Sequence, residues 1–509
     1  MNRPLLSVVF GVLAISPGSA AKDSARPKGP AEDGTRPALA RIAGEGFMNS
    51  QAFEYLTDLS DNIGGRVTGS PESQKSIDWG LAKMNAIGLV KVRSEKWTMW
   101  KGWTRGTANA EMLEPIHRKL DVDAMGWTGS TAPNGADAEV VTANLFDLDD
   151  ELKNVHRFKG KIVMMKPAGA PKKNFWLILA QYGDFLNALE KAGAIAVIGG
   201  QGGFKAEGMH LTHTGIVGFA QDYAIPVVDM AMEDQGQLER LLAAGKTVRL
   251  HIDVQNTMTG GPVEAANVVG EIAGREHPDQ VIVVGAHLDS WDLSEGTTDN
   301  GTGTSSVLAA ADDIMKSGQR PRRTIRFVLF TGEEQGLLGS LAYTKQHAAE
   351  MKDHLGAIVL DEGQGPIKEF QLGGRNDLIP AIEVFLDSLE NVREIKVNDK
   401  CEFGTDTGPF ILAGLPGINL QQDSPDYRYT HHSAADAMEA VKPDVLTQNS
   451  TILAMTAFWV ADRPDRLATP WSSDRTAKML REKGEYEFLK AFGLWPFGEL
   501  GSDANKSYN

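Results

Sequence analysis

A single cysteine, Cys401, occurs in the 509 residues. No internal disulfide can form, and a zinc site built from several cysteines is excluded. Positive charge is also short: 51 Lys and Arg stand against 67 Asp and Glu, a net charge of −16. Nucleic acid and anionic membrane surfaces attract the opposite balance, so neither is an expected partner. No repeats or low-complexity tracts break the chain. What is present is a globular composition, 42% hydrophobic and 23% charged, in a chain long enough for two or three units.

The N-terminus "MNRPLLSVVFGVLAISPGSAAKD" has a basic residue, an apolar run over residues 5–15, and then Pro and small residues. That is the pattern of a secretory signal over residues 1–21, and its run is too short to cross a bilayer. No cysteine follows for a lipid anchor. A secreted or periplasmic protein without a membrane anchor is expected. Residues 22–37 are rich in Pro, Gly and charge and read as a flexible leader.

Two helices are expected early, with Ser70 as N-cap and Gly88 as stop for the second. From 126 to 257 short strands such as "KIVMMK" and "AIAVIGG" alternate with helices, which reads as a small inserted α/β unit. It carries His210 and His213 in "HLTHTG"; two histidines three apart could bind metal, but no carboxylate is expected to cluster with them, and the stretch is read as a polar loop. The flanking segments 38–125 and 258–464 form the main domain. There "NVVGEIAG" and "QVIVVGAH" read as paired strands, followed by alternating helices and apolar strands. The fold class is α/β, a mixed and largely parallel sheet with helices on both faces, plus the inserted small unit. The tail 465–509 is amphipathic and has no assigned role.

In such sheets chemistry collects at the carboxyl ends of the strands. One strand here ends in His287 and Asp289, another in Glu333 and Glu334, a third in Asp361 and Glu362, and a fourth leads to His431, His432 and Asp436. Carboxylates at that density repel one another and lose hydration. A pair of divalent cations resolves the repulsion, and mixed imidazole and carboxylate donors suit zinc. The ligand candidates are His287, Asp299, Glu334, Asp361 and His432, with Asp299 able to bridge. Asp289 suits an outer role, holding the imidazole of His287 or its surroundings. Glu333 is the natural general base for water at the metals.

The stretches "GAHLDSWD", "TDNGTG", "FTGEEQGLLGS", "LDEG", "GTDTGPFILAGLPG" and "HHSAADAM" resemble, in order, the co-catalytic di-zinc exopeptidases, which include bacterial leucyl aminopeptidase, glutamate carboxypeptidase and carboxypeptidase Q. "HLDSWD" and the doubled histidine are most similar to the carboxypeptidase Q branch. The resemblance implies one metal on His287 and Asp361, the other on Glu334 and His432, with Asp299 bridging, Glu333 as base and Asp289 as orienter. It implies two Zn2+ per chain, with Mn2+ or Co2+ as substitutes, a cis bond between Asp299 and Asn300, and a protease-associated insert at 126–257. The chain departs from the family pattern at His431, where many members have a tyrosine that stabilises the oxyanion. His431 takes that role, or Tyr429 does, or neither. Asn300 replaces a second aspartate. Adjacent histidines in an extended loop are expected to point apart, His432 to metal and His431 to substrate.

The expected activity is hydrolysis of short peptides or dipeptides by a metallo-exopeptidase. Asp292, Glu362 and Asp423 are candidates for an α-ammonium, Arg375 and Arg428 for an α-carboxylate. A homodimer is compatible with this reading. Two alternatives share the fold: a glutaminyl cyclase-like enzyme with one zinc, and a non-catalytic receptor-like binding protein. Metal content separates the three.

Overall fold

Continuous apolar runs from residue 263 onward build the centre of an eight-stranded sheet, which an earlier strand at one edge and two short polar strands at the other complete. The computed structural model describes residues 35–199, 209–401 and 403–498. The strands are β1 Val90–Met99, β2 Val263–Ile272, β3 His277–His287, β4 Arg323–Phe330, β5 His354–Val359, β6 Ile367–Gln371, β7 Lys396–Asn398 and β8 Gly417–Gln422. Their order is β1-β2-β4-β3-β5-β8-β6-β7. The central four, β4-β3-β5-β8, are parallel throughout, and antiparallel pairs flank them. Side chains alternate between faces along each strand. Ile282 and Val284 pack under the helices Arg36–Asn49, Pro71–Ile87, Thr302–Lys316 and Pro443–Asp462, while Val281 and Val283 meet the smaller layer around Tyr343 and Phe410. Ser70 caps the helix Pro71–Ile87, its hydroxyl accepting from the Ser73 amide at 3.1 Å, and Gly88 ends it at φ 89°.

Three expectations are corrected. The strands around "NVVGEIAG" and "QVIVVGAH" are not paired, because β4 lies between β2 and β3. Glu271 of β2 sits opposite Arg326 of β4 and accepts from its Nε at 2.8 Å, a cross-strand ion pair that β3 does not offer. Residues 36 and 37, expected in the leader, lie in the first turn of the helix Arg36–Asn49. The expected signal segment 1–21 and the rest of the expected leader, up to residue 34, lie outside the described residues. Among the described residues no helix is long and apolar enough to cross a membrane.

The second unit starts earlier than residue 126. Its eight-stranded sheet already contains Ala108–Glu114, Arg118–Leu120 and Val122–Ala124, and ends with Arg249–Val254. Those early strands are short and half-exposed, so they lack the apolar texture of the later ones. The chain enters through Trp103–Thr104 and leaves through Thr257–Met258, and these two segments pair antiparallel. The tail forms the helices Ser473–Lys483 and Tyr486–Ala491. Leu480, Phe488 and Leu489 pack against Cys401, Phe403 and Ile411 of the main domain. Phe219 of the second unit meets Phe492 edge-to-face, with centroids 4.5 Å apart. The tail therefore pins the two units together.

Candidate metal centre

The carboxyl ends of β3, β4 and β5 place His287, the Glu333–Glu334 pair and Asp361 on one rim. Gly332, at φ 76°, turns the chain sharply after β4; a Cβ there would stand 2.6 Å from the ring of Trp97. Asp299 enters from the loop before the helix Thr302–Lys316, held by Asp436, which accepts from the amides of Thr298 (2.6 Å) and Asp299 (3.2 Å). The bond Asp299–Asn300 is cis.

His287 and His432 are fixed in the same way. Nδ1 of His287 faces the carbonyl of Asp289 at 2.9 Å, and Nδ1 of His432 faces the carbonyl of Thr214 at 3.2 Å. A carbonyl only accepts, so each Nδ1 carries the hydrogen and each Nε2 turns inward. There His287 Nε2 lies 3.0 Å from Asp361 Oδ1 and 3.3 Å from Asp299 Oδ1. His432 Nε2 lies 2.9 Å from Glu334 Oε2 and 3.3 Å from Asp299 Oδ2. Asp299 thus turns one oxygen to each histidine. Asp299 Oδ2 and Glu334 Oε1 are buried without a hydrogen-bond partner. Buried oxygens of this kind, set among inward imidazole nitrogens, fit cations of the zinc class.

The charge balance points the same way. Burial lowers the affinity of His432 for a proton, yet Glu334 and Asp299 outweigh it and push the imidazole up to about 10. His287 is raised well above its ordinary value against burial, mainly by Asp361. Burial pushes Glu334 up to about 7, with Asp299 adding to it, and raises Glu333 well above the carboxylate range. The pocket draws in positive charge.

Of the expected site residues, His287, Asp289, Asp299, Glu333, Glu334, Asp361, His431 and His432 come together. Asp289 differs in detail: its carbonyl holds His287, whereas its carboxylate stands 3.6 Å from that ring. The carboxylate instead accepts from Thr68 Oγ1 (2.9 Å) and the Glu333 amide (3.4 Å), so it fixes the turn that carries Glu333. Asn300, in place of a second aspartate, donates to Asp361 Oδ1 at 2.9 Å. The two adjacent histidines do not point apart. His432 has φ 56°, and its ring stacks on that of His431 with centroids 3.7 Å apart. Burial and the neighbouring His432 hold His431 well below its ordinary value, hence neutral.

Tyr429 is not drawn into the cluster; Arg428 lies over its ring and donates to its hydroxyl. Tyr427 is the tyrosine that packs edge-to-face on His431, at 5.0 Å. Arg375 is bound to both oxygens of Asp377 and stacked on Trp471, and Asp423 faces Lys368. Asp292 is held by Arg105, and Glu362 accepts from Asn419 Nδ2 and Gln421 Nε2 at 3.0 Å each.

Several residues at the site escaped the sequence reading. Trp291 donates to Glu334 Oε2 at 2.7 Å. Arg66 is fully buried beneath the rim and donates to the carbonyls of Gly64, Leu288, Glu295 and Gly296, tying down the loop after His287. The "HLTHTG" loop is not merely polar. His213 is buried with Nδ1 2.8 Å from the carbonyl of His431, and Thr214 receives His432. His210 has carboxylates near it after all, Asp121 and Asp234, brought from distant sequence, with Arg118 paired to Asp234.

The family model described as Peptidase family M28 matches residues 267–457. Carboxypeptidase Q of Mus musculus is 30% identical over 435 residues, 84% of this chain and 90% of its own length. The chain belongs to peptidase family M28. As a member of M28 it is a metallo-exopeptidase. Among solved structures, a peptidase M28 precursor from Shewanella amazonensis superposes with a TM-score of 0.74 at 27% identity, covering 86% of this chain and 99% of that one. A zinc aminopeptidase from Bacillus subtilis shares the fold, with a TM-score of 0.62 at 21% identity over 83% of this chain and 97% of that one.

Proposed function

We propose that this M28 peptidase holds two zinc ions, one by His287 and Asp361, the other by Glu334 and His432, with Asp299 shared, and trims short peptides outside the cytoplasm. The observation that carries the reading is Asp299, whose two oxygens each stand 3.3 Å from a different inward-facing histidine. When bound, zinc polarises the scissile carbonyl and acidifies water, and Mn2+ or Co2+ can do the same. Glu333 is the base: its Oε2 lies 4.0 Å from His287 Nε2, and its raised proton affinity suits a group that takes a proton from water and returns it to the leaving nitrogen. Asp289 and Thr68 hold that glutamate in place through its backbone. His431, neutral and stacked on His432, suits a hydrogen-bond donor to the oxyanion. Export is supported by the pattern of residues 1–21, and the unit after Trp103–Thr104 is read as the protease-associated insert.

The test is zinc content together with cleavage of free dipeptides, N-blocked peptides and C-amidated peptides, with products read by mass. Two zinc ions per chain, and hydrolysis that stops with chelator and returns with zinc, are expected. Loss of cleavage on blocking one terminus assigns the end that is trimmed. No more than trace metal after mild purification overturns the reading.

A further inference from the structure

We infer that Arg105, on the segment entering the second unit, is a positioning residue for the Glu334–His432 half of the site. The inference rests on the two-zinc reading above. Arg105 is 11% exposed at its side chain and lies far from the site in sequence. Its Nη2 donates to Asp292 Oδ1 at 2.7 Å and to Thr214 Oγ1 at 2.8 Å, while Nη1 donates to the carbonyl of Ala124. Nε reaches the same Asp292 oxygen at 3.0 Å.

Each of the first two contacts ends one step from a candidate ligand. Asp292 follows Trp291, whose indole donates to Glu334 Oε2 at 2.7 Å. Thr214 is fully buried; its carbonyl accepts from His432 Nδ1 at 3.2 Å, and its amide donates to the carbonyl of His432 at 2.8 Å. One guanidinium therefore fixes the support of Glu334 and the support of His432 relative to each other, across the junction of the two units. Among the described residues, none that Arg105 hydrogen-bonds in turn bonds His287 or Asp361 or their supports, Asp289 and Asn300. A lysine has no planar fork and cannot hold three partners in these directions.

Charge alone predicts the opposite sign. A cation beside an anionic pocket repels Zn2+, so deleting the charge would tighten metal binding, whereas loss of positioning weakens it. Groups that orient metal ligands typically contribute about 10–100-fold in affinity.

The experiment titrates the full-length metal-free protein with zinc against a competing chelator, for wild type, Arg105→Lys and Arg105→Met, with thermal melts as a check of folding. Asp292→Asn, which leaves Arg105 in place, is the second variant should both Arg105 variants fail to fold. Wild type should show two equivalents. In both Arg105 variants, and less strongly in Asp292→Asn, one affinity should fall by about 10–100-fold with the other unchanged. Turnover at limiting zinc should drop and recover at excess zinc with a wild-type KM. Unchanged affinities, tighter binding in Arg105→Met, or a raised KM with both affinities intact would each overturn the inference, the last by making Arg105 a substrate contact. A wild type that takes up fewer than two ions removes the two-zinc reading itself, an outcome visible before any variant is compared.

Discussion

His287 and His432 present the same nitrogen inward by the same device, yet the carbonyls that hold them come from different places. The acceptor for His287 is Asp289, two residues along its own loop; the acceptor for His432 is Thr214, 218 residues away on the other unit. The first half of the centre is complete once the large sheet has formed. The second half requires the two units to be docked, with Trp291 wedged into the tryptophan cluster of Trp97, Trp103 and Trp127 at their junction. The two proposed metal positions thus rest on one local and one long-range support, and they should respond differently to perturbation.

The largest expected effect leaves that difference untouched. Glu333→Gln should lower kcat by about 10²–10⁴-fold with both zinc affinities at wild-type values, because the proposed base is not among the proposed ligands. A lost metal equivalent in dialysed protein would merge the base with one of the halves. His431→Ala should come next, lowering kcat by about 10²–10³-fold with KM and metal content retained, as for loss of an oxyanion donor. If it released zinc, the stacked pair would have to be redrawn with His431 as a ligand.

Two variants then address the halves in turn. Asn300→Ala removes the donor to Asp361, and Trp291→Phe the donor to Glu334; each should weaken one zinc equivalent by about 10–100-fold. Combination with Arg105→Lys tells them apart. Asn300→Ala should be additive with it and Trp291→Phe should not, since only residues sharing a support couple. Additivity in both cases would break the comparison.

The smallest effect lies at the opposite rim. His354 opens β5, far along the strand from Asp361, and relays a fixed chain of hydrogen bonds: Arg326 to Tyr343, Tyr343 to His354, His354 to the Glu350 carbonyl. Burial pushes this imidazole down to about 4, against about 6.5 in an unfolded chain. The unfolded state therefore takes up the proton first as pH falls. The contribution of neutral His354 is full above about pH 6.5 and gone below about pH 4, worth up to about 3 kcal/mol. Urea unfolding of metal-free protein at pH 7 and pH 5 should lose less stability in His354→Gln than in wild type. Zinc affinities at pH 7 should be unchanged in that variant, and a change would mean that the two rims communicate.

The sequence made the main sheet readable where strands are apolar on both faces, as in "VIVVGAH" and "RFVLF", and it made the ligand set readable because each candidate follows such a strand. β6 and β7 were missed: "IKEFQ" and "KVN" are short and polar, β6 takes its place beside β8, far away in sequence, and β7 pairs with β6. β4 lies between β2 and β3, with Glu271 and Arg326 paired across the β2–β4 ladder, and no local pattern encodes that order. The stacking of His431 on His432 follows from one left-handed residue that is not glycine. Arg66, Arg105, Thr214 and Trp291 carry no motif of their own; their roles exist only once distant segments meet.

The paired threads at Trp103–Thr104 and Thr257–Met258 carry a consequence for how such a chain can be rearranged. Gly102 and Thr259 exchange hydrogen bonds at 2.9 Å, so a short link between them would close the chain with everything from the second sheet cut away. In the vocabulary of recombination the segment is a cassette with compatible ends. Its excision would not cut into β1 or β2, yet it would take Trp103 and Trp127 away from Trp291 and strip His432 of the carbonyl that orients it. A lineage that discarded the cassette would have to recruit another acceptor for that ring, and the residue recruited would mark where the cassette once stood.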